Sequence, residues 1–335
     1  QRLKQPMDFS TKLLTWYDDN KRDLPWRSNP DPYHIWLSEI MLQQTQMNTA
    51  LPYFHRFLDK APTIEALSEL TEDELLKLWE GLGYYRRAKN LHLASKIIIE
   101  KYQGELPKDY ELLRELPGIG EYSAGAISST AFGIKALAVD GNVERVMSRY
   151  YLITKDVTKQ KTKKLIKEML LPLAPEERIG DFNQALMELG ALVCLPNGRP
   201  KCDVCPINEE CLARKEDLAL ELPIKSKKKE SSTQDMKVLL LLHGNEVAIL
   251  KRKEKGLLES LWQFPTEEDV KAWPTDAVHV ASAKHIFSHK IWNMDLYKAN
   301  VPKKNPSFTW INLSDIDSYP MAKAFGQFKK YIKRD

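Results

Sequence analysis

Four cysteines crowd into one short stretch, Cys194-x7-Cys202-x2-Cys205-x5-Cys211. Zinc ribbons usually present two C-x2-C pairs, each half of a tetrahedron, and only one such pair exists here. Four unevenly spaced thiolates suit a [4Fe-4S] cluster, one cysteine to each iron corner. Structural zinc and a metal-free loop are the alternatives. A metal here ties the loop together, and nothing marks it as a redox catalyst. Pro206, Arg199 and Lys201 keep it rigid and basic, compatible with a neighbouring phosphate backbone.

Two carboxylates stand in contrasting surroundings. Glu39 is the only ionisable residue of Ile35-Trp36-Leu37-Ser38-Glu39-Ile40-Met41-Leu42, and a helix apolar all round is buried. Desolvation raises the pKa of a carboxyl there, as a general acid needs. A buried salt bridge with Arg27 is the plainer alternative. Asp140 follows the apolar Ala136-Leu137-Ala138-Val139 and precedes a helical stretch at 143–152. It reads as an N-cap, and the helix dipole and free N–H groups also hold such a carboxylate ionised. One protonated and one charged carboxylate are the pair that glycosidic cleavage uses.

Leu116-Pro117-Gly118-Ile119-Gly120 joins two amphipathic stretches. Its glycines permit positive φ and close approach of another backbone. With the free N–H groups of the helix that starts at Glu121, they form an anion site suited to a DNA phosphate. A tight helix–helix corner is the plain reading.

The elements that must position these residues are mostly helices. Apolar residues recur at three and four spacing in 9–17, 33–42, 64–79, 90–99, 109–116, 122–131, 143–152, 163–171 and 182–193. Proline and glycine stops fall between them. Residues 222–236 are polar, Lys-rich and aperiodic, a linker. Beyond it, Lys237–Leu242 and Val247–Lys251 flank His243-Gly244-Asn245-Glu246, a hairpin signal, and 284–299 reads as a strand. The expected organisation is a helical domain over 1–221, the linker 222–236, and a smaller α+β domain over 237–335.

A length of 335 residues fits about two domains. With 43% hydrophobic and 29% charged residues, whole-chain disorder and coiled coil are excluded. A net charge of +4 permits a nucleic-acid partner without arguing for one. No apolar run reaches the ~18 residues of a membrane span, and the first residues carry no leader-like apolar stretch. Clustered thiols and no export signal point to the reducing cytoplasm.

The hairpin LPGIG-x2-SAGAI at 116–127, Asp140 beyond it and then the four-cysteine loop together resemble the helix-hairpin-helix base-excision DNA glycosylases. SEIMLQQTQ (38–46), WEGLGYYRRAKNL (79–91), VDGNVERV (139–146) and FNQALMELGALVC (182–194) match the adenine DNA glycosylase branch. The resemblance covers roughly residues 8–223 strongly and the rest moderately. It implies a two-lobed catalytic domain with DNA between the lobes, and an adenine flipped into a pocket. In these terms Glu39 protonates adenine N7, and Asp140 stabilises or attacks the oxocarbenium-like sugar. Asn142 orients that carboxylate and the water, with Tyr122 against the same site. Trp26, Arg27, Leu42 and Gln184 line the adenine pocket. Gln44 and Tyr84 wedge into the duplex beside the opposing lesion, with Thr45 and Leu82 next to them, while Gly118 and Gly120 approach the backbone. Without the family, Leu42, Leu82 and Tyr84 read as plain core and Gln44 as a surface residue. The related endonuclease III carries a Schiff-base lysine where this chain has Tyr122, so the reaction should stop at base removal.

The C-terminal part resembles the Nudix-like domain that reads 8-oxoguanine in this family. Gly256-Leu257-Leu258 and Leu261-Trp262-Gln263-Phe264-Pro265 match its opening, and Phe287-Ser288-His289 matches its lesion-contacting loop. The acidic RExxEE box of true Nudix hydrolases is missing from 266–280, so nucleotide hydrolysis and catalytic Mg²⁺ are not implied. Two departures stand out: the first cysteine gap is x7 where the family shows x6, and 266–284 is short for the elements that normally follow. The expected protein is therefore a monomeric, cytoplasmic, nucleoid-associated enzyme. It removes adenine opposite 8-oxoguanine or guanine in duplex DNA and carries a [4Fe-4S] cluster. An endonuclease III-like glycosylase/lyase and a non-catalytic helix-hairpin-helix DNA-binding protein are the alternatives.

Overall fold

The computed structural model describes residues 7–28, 30–226 and 230–332. The first six residues, which bear on the leader expectation, and 227–229 of the expected linker lie outside the described residues. The described chain forms two compact units. One holds residues up to Ala50, Pro62–Ser68 and Leu93 to Ser226; the other holds Leu51–Ala61, Glu69–His92 and the chain from Glu230 on.

Helices come first in the chain: α1 (Met7–Asn20), α2 (Pro25–Ser28), α3 (Pro32–Leu42), α4 (Met47–Lys60), α5 (Ile64–Glu69), α6 (Glu72–Trp79), α7 (Arg86–Tyr102), α8 (Tyr110–Glu115), α9 (Glu121–Phe132), α10 (Gly141–Tyr150), α11 (Gln160–Leu170), α12 (Ile179–Leu192) and α13 (Leu212–Lys215). The periodic stretches fall on these, with two differences. The run 64–79 is two helices, because Thr71 and Glu74 form a capping box that restarts the chain as α6. And α4 was not expected at all, although Ala50, Phe54, Phe57 and Ala61 are buried at helical spacing; Pro52 sits inside the helix.

The first unit's core is built from α1, α10, α11 and α12 around Leu13, Met147, Leu170, Phe182 and Leu186. The ring of Phe9 meets those of Tyr150 and Phe182 edge-on at 5.0 and 6.3 Å. In α3, Asp31 Oδ1 caps the N-terminus by accepting from the amides of Tyr33 (2.8 Å) and His34 (3.2 Å), with Pro32 at the position where its missing N–H costs nothing. The helix is then buried on nearly every side. In α9, Gly125 lies against the 137–138 backbone; a Cβ there would stand 2.2 Å from the Leu137 carbonyl oxygen.

The second unit carries six strands: β1 (Ser232–His243), β2 (Glu246–Lys251), β3 (Trp262–Gln263), β4 (Val278–Ile286), β5 (Lys290–Asn300) and β6 (Thr309–Asn312), followed by α14 (Lys323–Gly326). The sheet order is β3-β2-β1-β5-β4, with β6 also on β2. β1 and β5 run parallel from Ser232↔Lys290 to Leu242↔Asn300, and the other pairs are antiparallel. The expected β1–β2 hairpin forms around Gly244 at φ 59°.

Three boundaries differ from the expectation. β1 begins at Ser232, inside the stretch read as linker, because parallel pairing to β5 supplies hydrogen bonds that its polar sequence does not announce. The single strand expected over 284–299 is the end of β4, a turn at Phe287-Ser288-His289, and most of β5. Residues 51–61 and 69–92 belong with the C-terminal unit rather than with a helical domain over 1–221. Polar contacts hold them there. Asp73 accepts from Lys251 Nζ (2.7 Å) and Trp262 Nε1 (3.3 Å), Glu80 accepts from the Met321 amide (2.9 Å), and Lys89 Nζ donates to Ser260 Oγ (2.6 Å).

Candidate active site

Helices α3, α9 and α10 of the first unit carry a cleft of about 360 Å³, within the range of small-ligand sites. Glu39, Leu42, Gln44, Tyr122 and Asp140 line it, bringing together five residues singled out from the sequence. Gln43, Glu144 and Lys163 line it too and were not foreseen. Gln43 Nε2 donates to Ser123 Oγ at 3.0 Å, tying the end of α3 to α9, and Lys163 pairs with Glu144 at 3.0 Å. Glu144 carried no sequence signal beyond its place in VDGNVERV (139–146).

Glu39 is 6% exposed. Burial pushes its carboxyl up to about 7, against the opposing effect of a hydrogen bond from Tyr122; the nearby Asp140 charge raises it further, and Gln184 and Arg27 lower it. The phenol of Tyr122 donates to Glu39 Oε2 at 2.9 Å. Burial, and then the charges of Glu39 and Asp140, push that phenol well above its usual value, so it stays a donor. The buried salt bridge with Arg27 offered as the alternative is not the bond that forms: Arg27 spends its Nη2 on Gln184 Oε1 (3.0 Å) and Glu188 Oε1 (2.7 Å).

Asp140 is both the cap and the cleft carboxylate. Its Oδ1 accepts from the Val143 amide at 2.8 Å, and its Oδ2 accepts from Asn142 Nδ2 at 2.8 Å. Asn142 Oδ1 in turn accepts from Arg145 Nη2 at 2.8 Å. The same guanidinium donates to the carbonyls of Gly190 (2.7 Å) and Cys194 (2.8 Å). Gly190 has no room for a side chain, since a Cβ would stand 2.6 Å from Asn142 Cβ. The carboxylate is thus fixed by a chain of donors that reaches the cysteine loop. Arg145 carried no sequence signal beyond its place in the match.

Of the remaining residues, Trp26 is buried in α2, and Gln184 stands one turn before Glu188 on α12. Gln44 is exposed in the left-handed region at φ 59°, and Thr45 Oγ1 donates to the Gln43 carbonyl at 3.5 Å. In the hairpin, Gly118 takes φ 80° and Gly120 is the exposed, extended N-cap of α9. The left-handed position needs glycine, and both amides are left beside a free helix start.

Cys194, Cys202, Cys205 and Cys211 are free thiols that line one cavity with Arg149 and Arg214. Among the described residues no three His, Cys, Asp or Glu side chains are arranged to hold a metal ion. The donor set nevertheless suits a soft metal centre: four cysteines line one space, and Arg149 Nη1 lies 3.2 Å from Cys194 Sγ. Burial pushes Cys205 up to about 12 and raises Cys202 and Cys211.

In the second unit, Tyr84 is 48% exposed at φ 48°, and its hydroxyl is hydrogen-bonded to Ser288 Oγ. Two residues expected at the lesion therefore meet. Phe287 packs edge-on against Trp292 at 4.8 Å, leaving Ser288 and His289 exposed. Leu82, expected next to the wedging Tyr84, is buried at 6% exposure. Two of the acidic residues of 266–280 have structural partners: Asp269 accepts from the Thr266 amide (2.7 Å) and hydroxyl (2.8 Å), and Glu267 Oε1 accepts from the Lys237 amide (3.4 Å). Among the described residues no helix is long and apolar enough to cross a membrane.

The chain is similar to known proteins. The HhH-GPD superfamily base excision DNA repair family matches residues 37–172, and the NUDIX domain family matches 237–331. Adenine DNA glycosylase of Buchnera aphidicola (subsp. Acyrthosiphon pisum) is 34% identical over 97% of this chain and 98% of its own length. The Mus musculus enzyme of that name is 31% identical over 96% of this chain and 78% of its own. Among solved structures, a thermostable thymine-DNA glycosylase superimposes with TM-score 0.57 at 30% identity, covering 64% of this chain and 98% of that one. An endonuclease III in non-covalent complex with DNA gives 0.53 at 25%, covering 62% and 94%. The paired carboxylates, the glycine hairpin and a likeness that runs almost end to end lead to one assignment: the chain belongs to the adenine DNA glycosylases of the helix-hairpin-helix base-excision superfamily.

Proposed function

We propose that this glycosylase removes adenine mispaired with 8-oxoguanine or guanine in duplex DNA and stops at base removal. One observation carries the chemistry: a buried carboxyl that holds its proton near neutral pH faces the same cleft as a capped carboxylate. Glu39 gives its proton to N7 of the flipped adenine, with the Tyr122 phenol steadying the carboxylate left behind. As the glycosidic bond breaks, its electron pair leaves with the base. Asp140, fixed by the Val143 amide and Asn142, stabilises the cationic sugar or bonds to it. Water supplies the hydroxyl at the sugar carbon and returns a proton. The cleft offers a phenol where a lysine would form a Schiff base, so no strand cleavage follows.

Trp26, Arg27, Leu42 and Gln184 are proposed to hold the base. Gln44, Thr45, Leu82 and Tyr84 act at the opposing lesion, and the amides around Gly118 and Gly120 take a phosphate. The Tyr84–Ser288 bond supports a lesion-reading role for Phe287, Ser288 and His289; the two hydroxyls and the imidazole can meet the altered edge of the base. Cys194, Cys202, Cys205 and Cys211 would hold a [4Fe-4S] cluster, which supplies thiolate–iron bonds that fasten the loop. The enzyme acts as a monomer in the cytoplasm, on the nucleoid.

The test is base release from a duplex with a single 8-oxoguanine:adenine pair, analysed before and after alkali. Adenine release with the strand intact until alkali, lost in Asp140→Asn, is expected. Binding without release would leave a DNA-binding module, and nicking without alkali would mean a lyase. Iron and sulfide content of the purified protein tests the cluster.

A further inference from the structure

Behind the cleft lies a buried ionic cluster that the proposed chemistry does not use. Glu188, one turn after Gln184 on α12, is 1% exposed. Arg22 grips it with two groups, Nε to Oε2 at 2.9 Å and Nη2 to Oε1 at 2.9 Å. Arg27 Nη2 adds a third bond to Oε1 at 2.7 Å. Burial alone would raise the Glu188 carboxyl, but the two guanidiniums outweigh it and hold it below its ordinary value. The Arg27 side chain is confined as well. Its Nη1 donates to the Arg22 carbonyl at 3.0 Å, its guanidinium lies 5.7 Å from the Tyr17 ring centroid, and its Nη2 also donates to Gln184 Oε1 at 3.0 Å. Arg27 Nε is buried without a hydrogen-bond partner among the described residues, so the Nη contacts set its orientation.

These bonds decide which way one amide points. Gln184 has a carbonyl oxygen and an NH₂ group at the same end. Arg27 can only donate, so it takes the oxygen. The NH₂ group is left on the side of Glu39, whose carboxyl the Gln184 side chain lowers. A buried ion pair is not required for stability, since apolar residues of like volume serve as well or better. What a fixed triad does supply is direction.

We infer that Glu188 is a positioning residue for base removal: it clamps Arg22 and Arg27 so that Arg27 pins the Gln184 carboxamide with its amide hydrogens facing Glu39. The inference rests on Glu39 acting as the acid of the proposed reaction. Glu188 touches neither base nor sugar and acts through two side chains.

The experiment is single-turnover adenine release from the 8-oxoguanine:adenine duplex over a range of enzyme concentrations, for the full chain and its variants. In Glu188→Gln the rate at saturating enzyme should fall about tenfold or more, while the half-saturating concentration shifts by less than about threefold. Glu188→Asp keeps the charge and should recover part of the rate. In a Gln184→Ala background, Glu188→Gln should add little, because the two act in series. Should Glu188→Gln not fold, Arg22→Met loosens the same clamp from its half-exposed side and should also lower the saturating rate. A saturating rate unchanged across these variants, a change confined to half-saturation, or full additivity with Gln184→Ala would overturn the inference. Failure of the unaltered chain to release adenine would instead remove the proposed function.

Discussion

Replacing Glu39 by Gln should make the protein more stable above neutral pH and slow its chemistry severely. The ordinary value of this carboxyl is 4.5, and the fold lifts it to about 7. Between those two values the folded chain binds a proton that the unfolded chain has released. Stability therefore falls as pH rises through this window. The gap between those values makes the burial of Glu39 cost about 3 kcal/mol once it is ionised, at ~1.4 kcal/mol per tenfold. Glutamine has the same shape and no charge, and its carbonyl can still accept from the Tyr122 hydroxyl. The variant should match the parent near about pH 4 and exceed it by about 2–3 kcal/mol at about pH 8.5. Urea unfolding at the two pH values measures this difference. Base release should drop by about 10²–10⁴-fold, the usual contribution of general acid catalysis. An equal stability difference at both pH values, or a variant less stable at the higher one, would refute the view that Glu39 is held protonated by burial.

Three further outcomes follow from the same geometry. Asp140→Asn keeps a side-chain oxygen for the Val143 amide but sets an NH₂ group against the Asn142 amide in place of the acceptor it now has, so a loss of about 1 kcal/mol in stability is expected; base release should be lost far beyond that, as single-turnover assay and thermal unfolding can check together. Tyr122→Phe removes a hydrogen bond that lowers the Glu39 carboxyl. The alkaline fall in base-release rate should then move upward by about one pH unit, and a downward or absent shift in the pH–rate profile would count against it. Arg145→Met leaves the carbonyls of Gly190 and Cys194 and the Asn142 oxygen without their donor. A loss of about 3 kcal/mol in stability is expected, together with lower iron content and slower release, read by urea unfolding and metal analysis.

Much of this site is legible in the sequence because single residues break a pattern. Glu39 is conspicuous as a charge in an apolar helix, and it is buried. Asp140 stands where an apolar stretch meets a helix, and the cap forms. The glycine hairpin needs no context, because the φ of 80° at Gly118 is one that other residues resist. Helices were read where their apolar faces repeat. Reading failed at α4, where Pro52 interrupts a stretch whose apolar face does repeat, and at the polar start of β1, which is held by pairing with β5. The allotment of 51–61 and 69–92 to the C-terminal unit depends on partners some 170 to 240 residues away, such as Lys251 on Asp73 and Met321 on Glu80, and no local pattern encodes such pairings.

The residues that escaped reading share a physical character. Arg22, Glu188 and Arg145 each look like ordinary surface charges in the sequence, and each gains its meaning from what it bonds. Glu188 is buried only because two guanidiniums come to it from elsewhere in the chain. Arg145 is buried because two carbonyls near the end of α12 are turned toward it. Their partners are ions and backbone oxygens, so hydrophobic periodicity registers neither. The reacting groups can be found from the residue types that chemistry demands. The groups that aim them satisfy only geometry, and geometry exists only after the helices have packed. The proposed active site thus has two levels of legibility. Glu39 and Asp140 belong to the first, and the clamp on Gln184 and the donor chain to Asp140 belong to the second. Substitutions at the second level should lower the rate by misaiming groups that remain present. In variants of the clamp the plateau should fall, and the alkaline limb set by Glu39 should move upward, because Gln184 and Arg27 lower its carboxyl in the intact site.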